Sequence, residues 1–254
     1  MTILCIETST SVCSAAICKG GVPIKQMINK EGSNHARLLP LFIDELLSSA
    51  REQNLTIEAV ALSEGPGSYT GLRIGTSMAK GLCYGLNVPL ISIPTLEVLC
   101  EAAIQSLEFR DKSLEKSLLC PMIDARRMEV YTALYSAEKR GESLEEKGEN
   151  IARAVVVENE ESLLEGQRDK VQSTKEYYYF GDGAEKCREV LNKPQWHFIA
   201  GIVPEAQYMG SLVDGRLSFV NSRLSLVEGE KIAYYEPFYL KEFVAAQSHV
   251  KGLN

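Results

Sequence analysis

Short apolar runs broken by turn residues dominate the first thirty residues. Ile3–Glu7 and Val12–Cys18 are separated by a Ser/Thr turn, and Gly20-Gly21 precedes a third run that begins at Val22. Runs of this length, bounded by such turns, are typical of strands joined in hairpins. The pattern therefore predicts three consecutive antiparallel strands at the amino terminus.

After the third strand, the apolar spacing alternates between the periods of helices and strands. Helical spacing covers residues 37–51, 70–86 and 95–107, and short strands are expected over 56–62 and 89–93. The order β-β-β-α-β-α-β-α is an antiparallel meander followed by parallel crossovers. It is characteristic of the ribonuclease H-like, actin-like duplicated fold. This is an α/β class with two lobes, each a mixed five-stranded-type sheet with flanking helices.

The chain becomes densely charged at residues 108–116. We interpret this change as the crossing from a first lobe, residues 1–107, into a second lobe, residues 108–203. An apolar helical segment at about 204–225 is expected to return to the first lobe, and residues 226–254 form a C-terminal tail.

Apolar runs are shorter within the second lobe. They predict strands over 118–123, 128–135, 155–157 and 177–180, and a glycine turn into a helix at "GDGAEKCREVL". The polar stretch 136–150 is expected to be a mobile excursion.

Composition and charge narrow the class of protein. The 254 residues are 45% hydrophobic and 24% charged, with a formal net charge of −7. Proteins that bind nucleic acid on their own normally carry a basic excess, which this chain lacks. Its seven cysteines form no C-x-x-C pair, and neither a basic leader nor an uninterrupted apolar span occurs. These features predict a reduced, cytoplasmic protein without a membrane segment.

The turn between the first two strands is the first candidate site. Glu7, Thr8, Ser9 and Thr10 combine an acid with hydroxyls, a composition suited either to phosphate binding or simply to a tight turn. The segment "GPGSYTG", which begins at Gly65, lies between a strand and a helix, where amides and the helix dipole favour anions. It lacks the Walker lysine and the G-x-G-x-x-G spacing, so it either binds a group or only turns the chain.

Catalytic signatures are scarce elsewhere in the sequence. His35 is the only histidine near these elements, and no H-x-x-x-H, H-E-x-x-H or G-x-S-x-G occurs. Neither a metal site built from paired histidines nor a nucleophilic hydrolase is therefore supported. We interpret His35 as a residue at the start of a helix.

Small residues recur at every fourth position of the helix after "GPGSYTG", at Gly71, Gly75 and Ala79. Glycine inside a helix costs roughly 1 kcal/mol relative to alanine, so close packing must offset it. The stripe either packs on the protein's own sheet or contacts a helix of another chain. The helix at 37–51 favours the second alternative, because its apolar face is wider than one sheet needs. The predicted partner interface comprises Leu38, Leu39, Phe42, Leu46, Gly71, Leu72, Gly75, Met78, Ala79 and Leu82.

Several segments, taken in order, resemble one family. "ILCIETSTSVCSAAI", "SNHARLLPLFIDELL", "ALSEGPGSYTGLRIGTSMAKGL", "IPTLEVL", "MIDARRMEVYTALY" and "YFGDGA" are similar to TsaB (YeaZ), the smaller actin-like protein of bacterial threonylcarbamoyladenosine tRNA modification. They run from residue 3 to about residue 184, and "PFYL" near the C terminus also fits. One departure is Glu7, where many relatives carry Asp.

The resemblance implies a partner subunit with no catalytic residue and no metal of its own. The larger relative, TsaD, adds a pair of metal-binding histidines, of which only His35 is present here. The implied partners are TsaD, the ATPase TsaE and a second copy of the chain, with tRNA contacted only indirectly. ATP and Mg are implied only in complex with these partners. A vestigial nucleotide site would comprise Glu7, Thr8, Ser9, Thr10, Gly181 and Gly183.

Three functional hypotheses remain. The favoured one is a non-catalytic scaffold that TsaD requires to transfer threonylcarbamoyl to the adenosine beside the anticodon. The alternative is a stand-alone actin-fold ATPase or small-molecule kinase that uses the Glu7–Ser11 turn and "GDGA" at Gly181–Ala184. The third hypothesis is a glycoprotease, which the sequence does not support because it has neither a histidine pair nor a nucleophile.

Overall fold

A computed structural model describes residues 1–32, 34–106, 117–136, 152–164, 176–217 and 225–241 of the chain. The strands form two mixed sheets with flanking helices, which confirms the predicted α/β class with two lobes. The charged segment 108–116 lies outside the described residues, as does all but the first residue of the excursion predicted over 136–150.

The first sheet is built from the predicted meander and crossovers. The elements are β1 (Thr2–Glu7), β2 (Cys13–Lys19), β3 (Val22–Asn29), α1 (His35–Glu52), β4 (Ala59–Gly65), α2 (Tyr69–Leu86), β5 (Leu90–Pro94) and α3 (Thr95–Gln105). β1 and β2 are antiparallel, as are β2 and β3, whereas β1 pairs with β4 and β4 with β5 in parallel. One further strand near the C terminus, β12 (Ser225–Val227), gives the sheet order β12-β5-β4-β1-β2-β3.

β4 differs most from its predicted limits of 56–62. It begins three residues later and continues through Ser63 and Gly65, which pair with Ile93 and Pro94 of β5. The polar Ser63 is tolerated in a buried strand because its hydroxyl bonds to the Thr95 hydroxyl at 2.7 Å. The first glycine of "GPGSYTG" is therefore the last residue of a strand.

The second sheet is built from elements of the second lobe. They are β6 (Ser117–Asp124), β7 (Glu129–Thr132), β8 (Tyr135–Ser136), β9 (Arg153–Val156), α4 (Glu160–Leu164), β10 (Glu176–Phe180) and β11 (Trp196–Ile199). The strand order is β11-β10-β6-β7-β9, with the two-residue β8 also paired to β6. The strand predicted over 128–135 is divided between β7 and β8, since residues 133–134 leave the sheet.

The helix predicted at "GDGAEKCREVL" is wrong. Only a 3-10 turn, Glu185–Cys187, forms between β10 and β11, and its bonds are of the i+3 type, such as Arg188 amide to Glu185 carbonyl. Pro194 follows closely and cannot donate to an extended helix.

Helices cover both faces of the first sheet. α1 and α2 pack on one face, and α3 packs on the other beside α5 (Met209–Leu217), which follows a 3-10 turn at Ala206–Tyr208. α3 also contacts the second sheet, so it lies between the two sheets. No helix in the described ranges combines the length and apolarity needed to span a membrane.

Candidate functional site

The hydroxyl-rich turn between β1 and β2 lies beneath the start of α2. Glu7, Thr8 and Ser9 are fully buried. The Ser68 amide donates to the Ser9 carbonyl at 2.6 Å, and Thr8 Oγ1 donates to the Gly71 carbonyl at 2.8 Å. The turn and the helix are thus bonded directly to each other.

The glycines of α2 and its preceding loop are required by this contact. A Cβ atom at Gly67 would come closer than 3.0 Å to Ser9, and one at Gly71 or Gly75 would do the same to Thr8. Real side chains essentially never approach so closely. The small-residue stripe therefore packs on the protein's own hairpin. The prediction that the stripe contacts another chain is wrong, because the β1–β2 hairpin already fills the space beside these glycines.

Most of the predicted interface is buried for a related reason. α1 and α2 pack side by side on the same face of the first sheet, so the wide apolar face of α1 contacts both the sheet and α2. Leu38, Met78 and Leu82 stay partly exposed at the edge of this core. The residues inside the core, and so unavailable to a partner, are Leu39, Phe42, Leu46, Gly71, Leu72, Gly75 and Ala79.

A shallow groove of about 740 Å³ runs between the outer sides of the two helices. Its lining residues are Ala36, Pro40, Tyr69, Thr70, Arg73, Ile74, Ser77, Met78, Gly81 and Leu82. We call these residues the docking groove. Most of the lining is apolar, only Arg73 carries a charge, and the neighbouring Leu41 is 59% exposed. Pro40 has no amide hydrogen, so the Ala36 carbonyl lacks its usual i+4 donor at the rim of the groove.

Both helices are anchored on the β1–β2 turn. α1 begins at His35, as predicted for this residue, and His35 Nε2 lies 2.9 Å from the Thr10 carbonyl oxygen. α2 is capped by Ser68, whose Oγ accepts from the Gly71 amide at 3.3 Å. The β1–β2 turn therefore positions the two helices that form the docking groove.

The glycines predicted as part of a nucleotide site in the second lobe also serve packing. Gly181 has φ +108°, and a Cβ atom there would come closer than 3.0 Å to the Met122 carbonyl of β6. A Cβ atom at Gly183 would lie 2.9 Å from the Ile123 carbonyl carbon of the same strand. Between them, the Asp182 carboxylate accepts from the Asp124 amide at 3.0 Å, and burial raises the pKa of Asp182. These contacts fix the loop after β10 onto β6.

Glu7 is the most unusual titratable group of the turn. Its Oε1 accepts from the Ser9 amide at 2.7 Å, whereas Oε2 has no hydrogen-bond partner among the described residues. Burial raises the pKa of Glu7 above its ordinary value, and the hydrogen bonds from Ser9 offset this only in part. The charged form is therefore the costly one in the folded protein.

We expect Glu7 to make the protein less stable as pH rises. Since the pKa is raised on folding, the stabilising contribution of the protonated carboxyl is complete below the unfolded pKa. It is lost as pH rises through the raised folded value. Glu7→Gln, which stays neutral, should remove this loss and melt at a higher temperature than wild type at pH 8. Melting curves from pH 4 to 8 test this, with the exposed Glu31→Gln as the control. A Glu7→Gln effect independent of pH would contradict it.

Comparison with known proteins places this arrangement in a family. The family model described as "TsaD: tRNA N6-adenosine threonylcarbamoyltransferase" matches residues 24–245. The Escherichia coli K12 "tRNA threonylcarbamoyladenosine biosynthesis protein TsaB" is 31% identical over 167 residues, which cover 66% of this chain and 69% of that protein. The chain belongs to the TsaB family. The Bacillus subtilis TsaB is 35% identical over 136 residues, 53% of this chain and 55% of its own length.

Solved structures share this fold. "YeaZ from Pseudomonas aeruginosa" has a TM-score of 0.65 at 24% identity and covers 94% of this chain and 99% of its own. Transferases named tRNA N6-adenosine threonylcarbamoyltransferase match shorter stretches. The Phocaeicola vulgatus protein is 32% identical over 111 residues, 37% of this chain and 32% of its own length.

Several groove residues were missed by sequence reasoning. Pro40, Arg73, Ile74 and Ser77 line the docking groove but were absent from the predicted interface. The prediction included Met78 and Leu82 but otherwise followed the small-residue stripe. The groove follows the i,i+4 stripe Ile74–Met78–Leu82, about 100° around the same helix. The apolar stripe next to an exposed arginine was the sequence pattern that could have identified the groove.

Proposed function

We propose that this chain is a non-catalytic partner subunit in tRNA threonylcarbamoyladenosine biosynthesis. It docks onto the TsaD-type transferase through the docking groove. Membership of the TsaB family supports the pathway, because the curated relatives carry that role in their names. The observation that carries the docking role is the apolar outer surface of α1 and α2, which the protein's own core leaves open.

The form of the groove suits a protein better than a small molecule. It is open and shallow, while small-molecule sites enclose most of their ligand. Ile74, Met78 and Leu82 form an apolar strip four residues apart, the spacing with which one helix packs along another. We propose that the same groove also mediates self-association about a two-fold axis. The homodimer and the transferase complex would then exclude each other.

We propose that the β1–β2 turn holds no phosphate. The Ser9 amide is bonded to Glu7, and the Val12 amide donates to Thr10 Oγ1 at 3.3 Å. These two amides are thus already bonded within the turn. The described residues also contain no group of three or more His, Cys, Asp or Glu placed to hold a metal. We propose that ATP and Mg are bound by the TsaD- and TsaE-type partners.

Contact with tRNA is proposed to be indirect. The net charge of −7 gives this chain little to gain from counterion release on a polyphosphate. The basic surface needed to hold tRNA would then come from the transferase.

Reconstitution tests this function directly. The transferase, the ATPase and tRNA of the same cell are supplied with ATP and an activated threonylcarbamoyl donor, with and without this chain, and threonylcarbamoylated adenosine is measured. We expect product only when the chain is present, and no ATP hydrolysis by the chain alone. Undiminished modification without the chain would overturn the proposal. ATP turnover by the isolated chain that is lost in Glu7→Gln would instead support the actin-fold ATPase.

A further inference from the structure

Residues 235–241, which we call the strap, connect the two lobes beside the start of α2. Tyr235 Oη donates to Ser92 Oγ of β5 at 3.2 Å, which fixes the beginning of the strap. The Phe238 amide donates to the Glu64 carbonyl of β4 at 2.7 Å. Lys241 forms an ion pair with Glu129 of β7 in the second lobe. The strap is thus held by both sheets.

The strap packs so closely on Gly65 that no side chain fits at this position. The φ of Gly65 is +119°, and a Cβ atom there would come closer than 3.0 Å to the Phe238 carbonyl oxygen. The strap backbone therefore lies directly on the end of β4. Whereas Gly67 and Gly71 of the same motif admit the β1–β2 turn, Gly65 admits the C-terminal segment.

The strap is continuous with the docking groove. The Tyr239 ring packs on the Tyr69 ring, with centroids 5.0 Å apart. Tyr69 in turn accepts from Arg73 Nη1 at 2.8 Å, and the Arg73 guanidinium lies 5.4 Å from the centroid of the Tyr69 ring. Tyr69 and Arg73 both line the groove, and Phe238 and Tyr239 remain 43% and 36% exposed beside them.

We infer that the strap is the end wall of the docking surface, and that the partner segment covering Tyr69, Arg73 and Tyr239 presents a carboxylate. This inference rests on the proposed function. Tyrosine and arginine are enriched at the centres of protein interfaces, and the strap brings two tyrosines and one arginine together. Arg73 is exposed and forms no ion pair with any described residue. Covering its charge on binding therefore requires a counter-charge from the partner.

Titration calorimetry with the TsaD-type transferase of the same cell tests the strap. Tyr239→Ala is expected to weaken binding about tenfold while the melting temperature stays close to that of wild type. Tyr234→Ala is the matched control, since Tyr234 is an 85% exposed tyrosine outside the docking groove, and it should bind normally. Hydrogen exchange at the Phe238 amide, which is bonded in the described structure, reports whether the strap has detached.

Arg73 variants test the chemistry of the partner. Arg73→Glu should weaken binding at least about tenfold more than Arg73→Gln, because only the former repels a carboxylate. Equal losses in the two variants would overturn the carboxylate. Normal binding of Tyr239→Ala, or equal losses in Tyr239→Ala and Tyr234→Ala, would overturn the strap as the end wall. If Met78→Asp in the groove still weakens binding strongly, the proposed docking stands without the inference, whereas normal binding of Met78→Asp contradicts docking through the groove.

Discussion

Gly75→Leu is expected to destabilise the protein by about 1–3 kcal/mol, since the added side chain overpacks a filled site. A Cβ atom at Gly75 would already contact Thr8 Oγ1 closer than 3.0 Å and Leu62 Cδ1 at 3.2 Å. Neither neighbour can retreat far, because both belong to buried strands or turns of the first sheet. The loss should appear as a lower melting temperature and a lower urea midpoint.

Gly85→Leu provides the matched control in the same helix. Nothing lies within 4 Å of a Cβ atom at Gly85, which is exposed. The leucine there should raise stability by about 0.5–1 kcal/mol through helix propensity alone. If Gly75→Leu instead melted like wild type and lost only its partner, the small-residue stripe would face another chain, and our assignment of it to the hairpin would be refuted.

Met78→Asp is expected to weaken binding of the TsaD-type transferase about 100-fold or more, which corresponds to about 3 kcal/mol. A carboxylate buried without a partner at the centre of an apolar interface costs that much or more. Met78 lies at the surface edge of the core, so the aspartate can remain solvated in the free protein and the fold should survive. Pull-down and calorimetry measure the binding, and a thermal melt confirms the fold.

Val22→Asp is the control for the effect of introducing a negative charge at the surface. Val22 is 60% exposed on β3, at the opposite edge of the first sheet from β12, and does not line the docking groove. It should bind the transferase as wild type does. Equal binding by Met78→Asp and Val22→Asp would show that the partner contacts a different surface.

The secondary structure of the first lobe could be predicted from sequence because each element is long and strongly patterned. β1 and β2 are continuous apolar runs between turn residues, and α1 and α2 have sustained helical spacing. The prediction of a helix after β10 failed because tertiary contacts outweighed the local pattern. The apolar positions of this segment fit a helix, but Gly181 and Gly183 bind the loop to β6 before a helix can start.

The order of elements in the first lobe, the fold class and the family resemblance could be predicted from the sequence alone, because they depend on local periodicity and on motifs. The sequence also indicated that close packing surrounds Gly71 and Gly75. It could not show what packs there, since a glycine has the same propensity whether the approaching backbone belongs to its own chain or to another. The β1–β2 turn fills that space, and the strap fills the space at Gly65. The adjacent stripe, Ile74–Met78–Leu82, remains accessible to a partner. It is partly exposed because α1 and α2 pack side by side on one face of the first sheet.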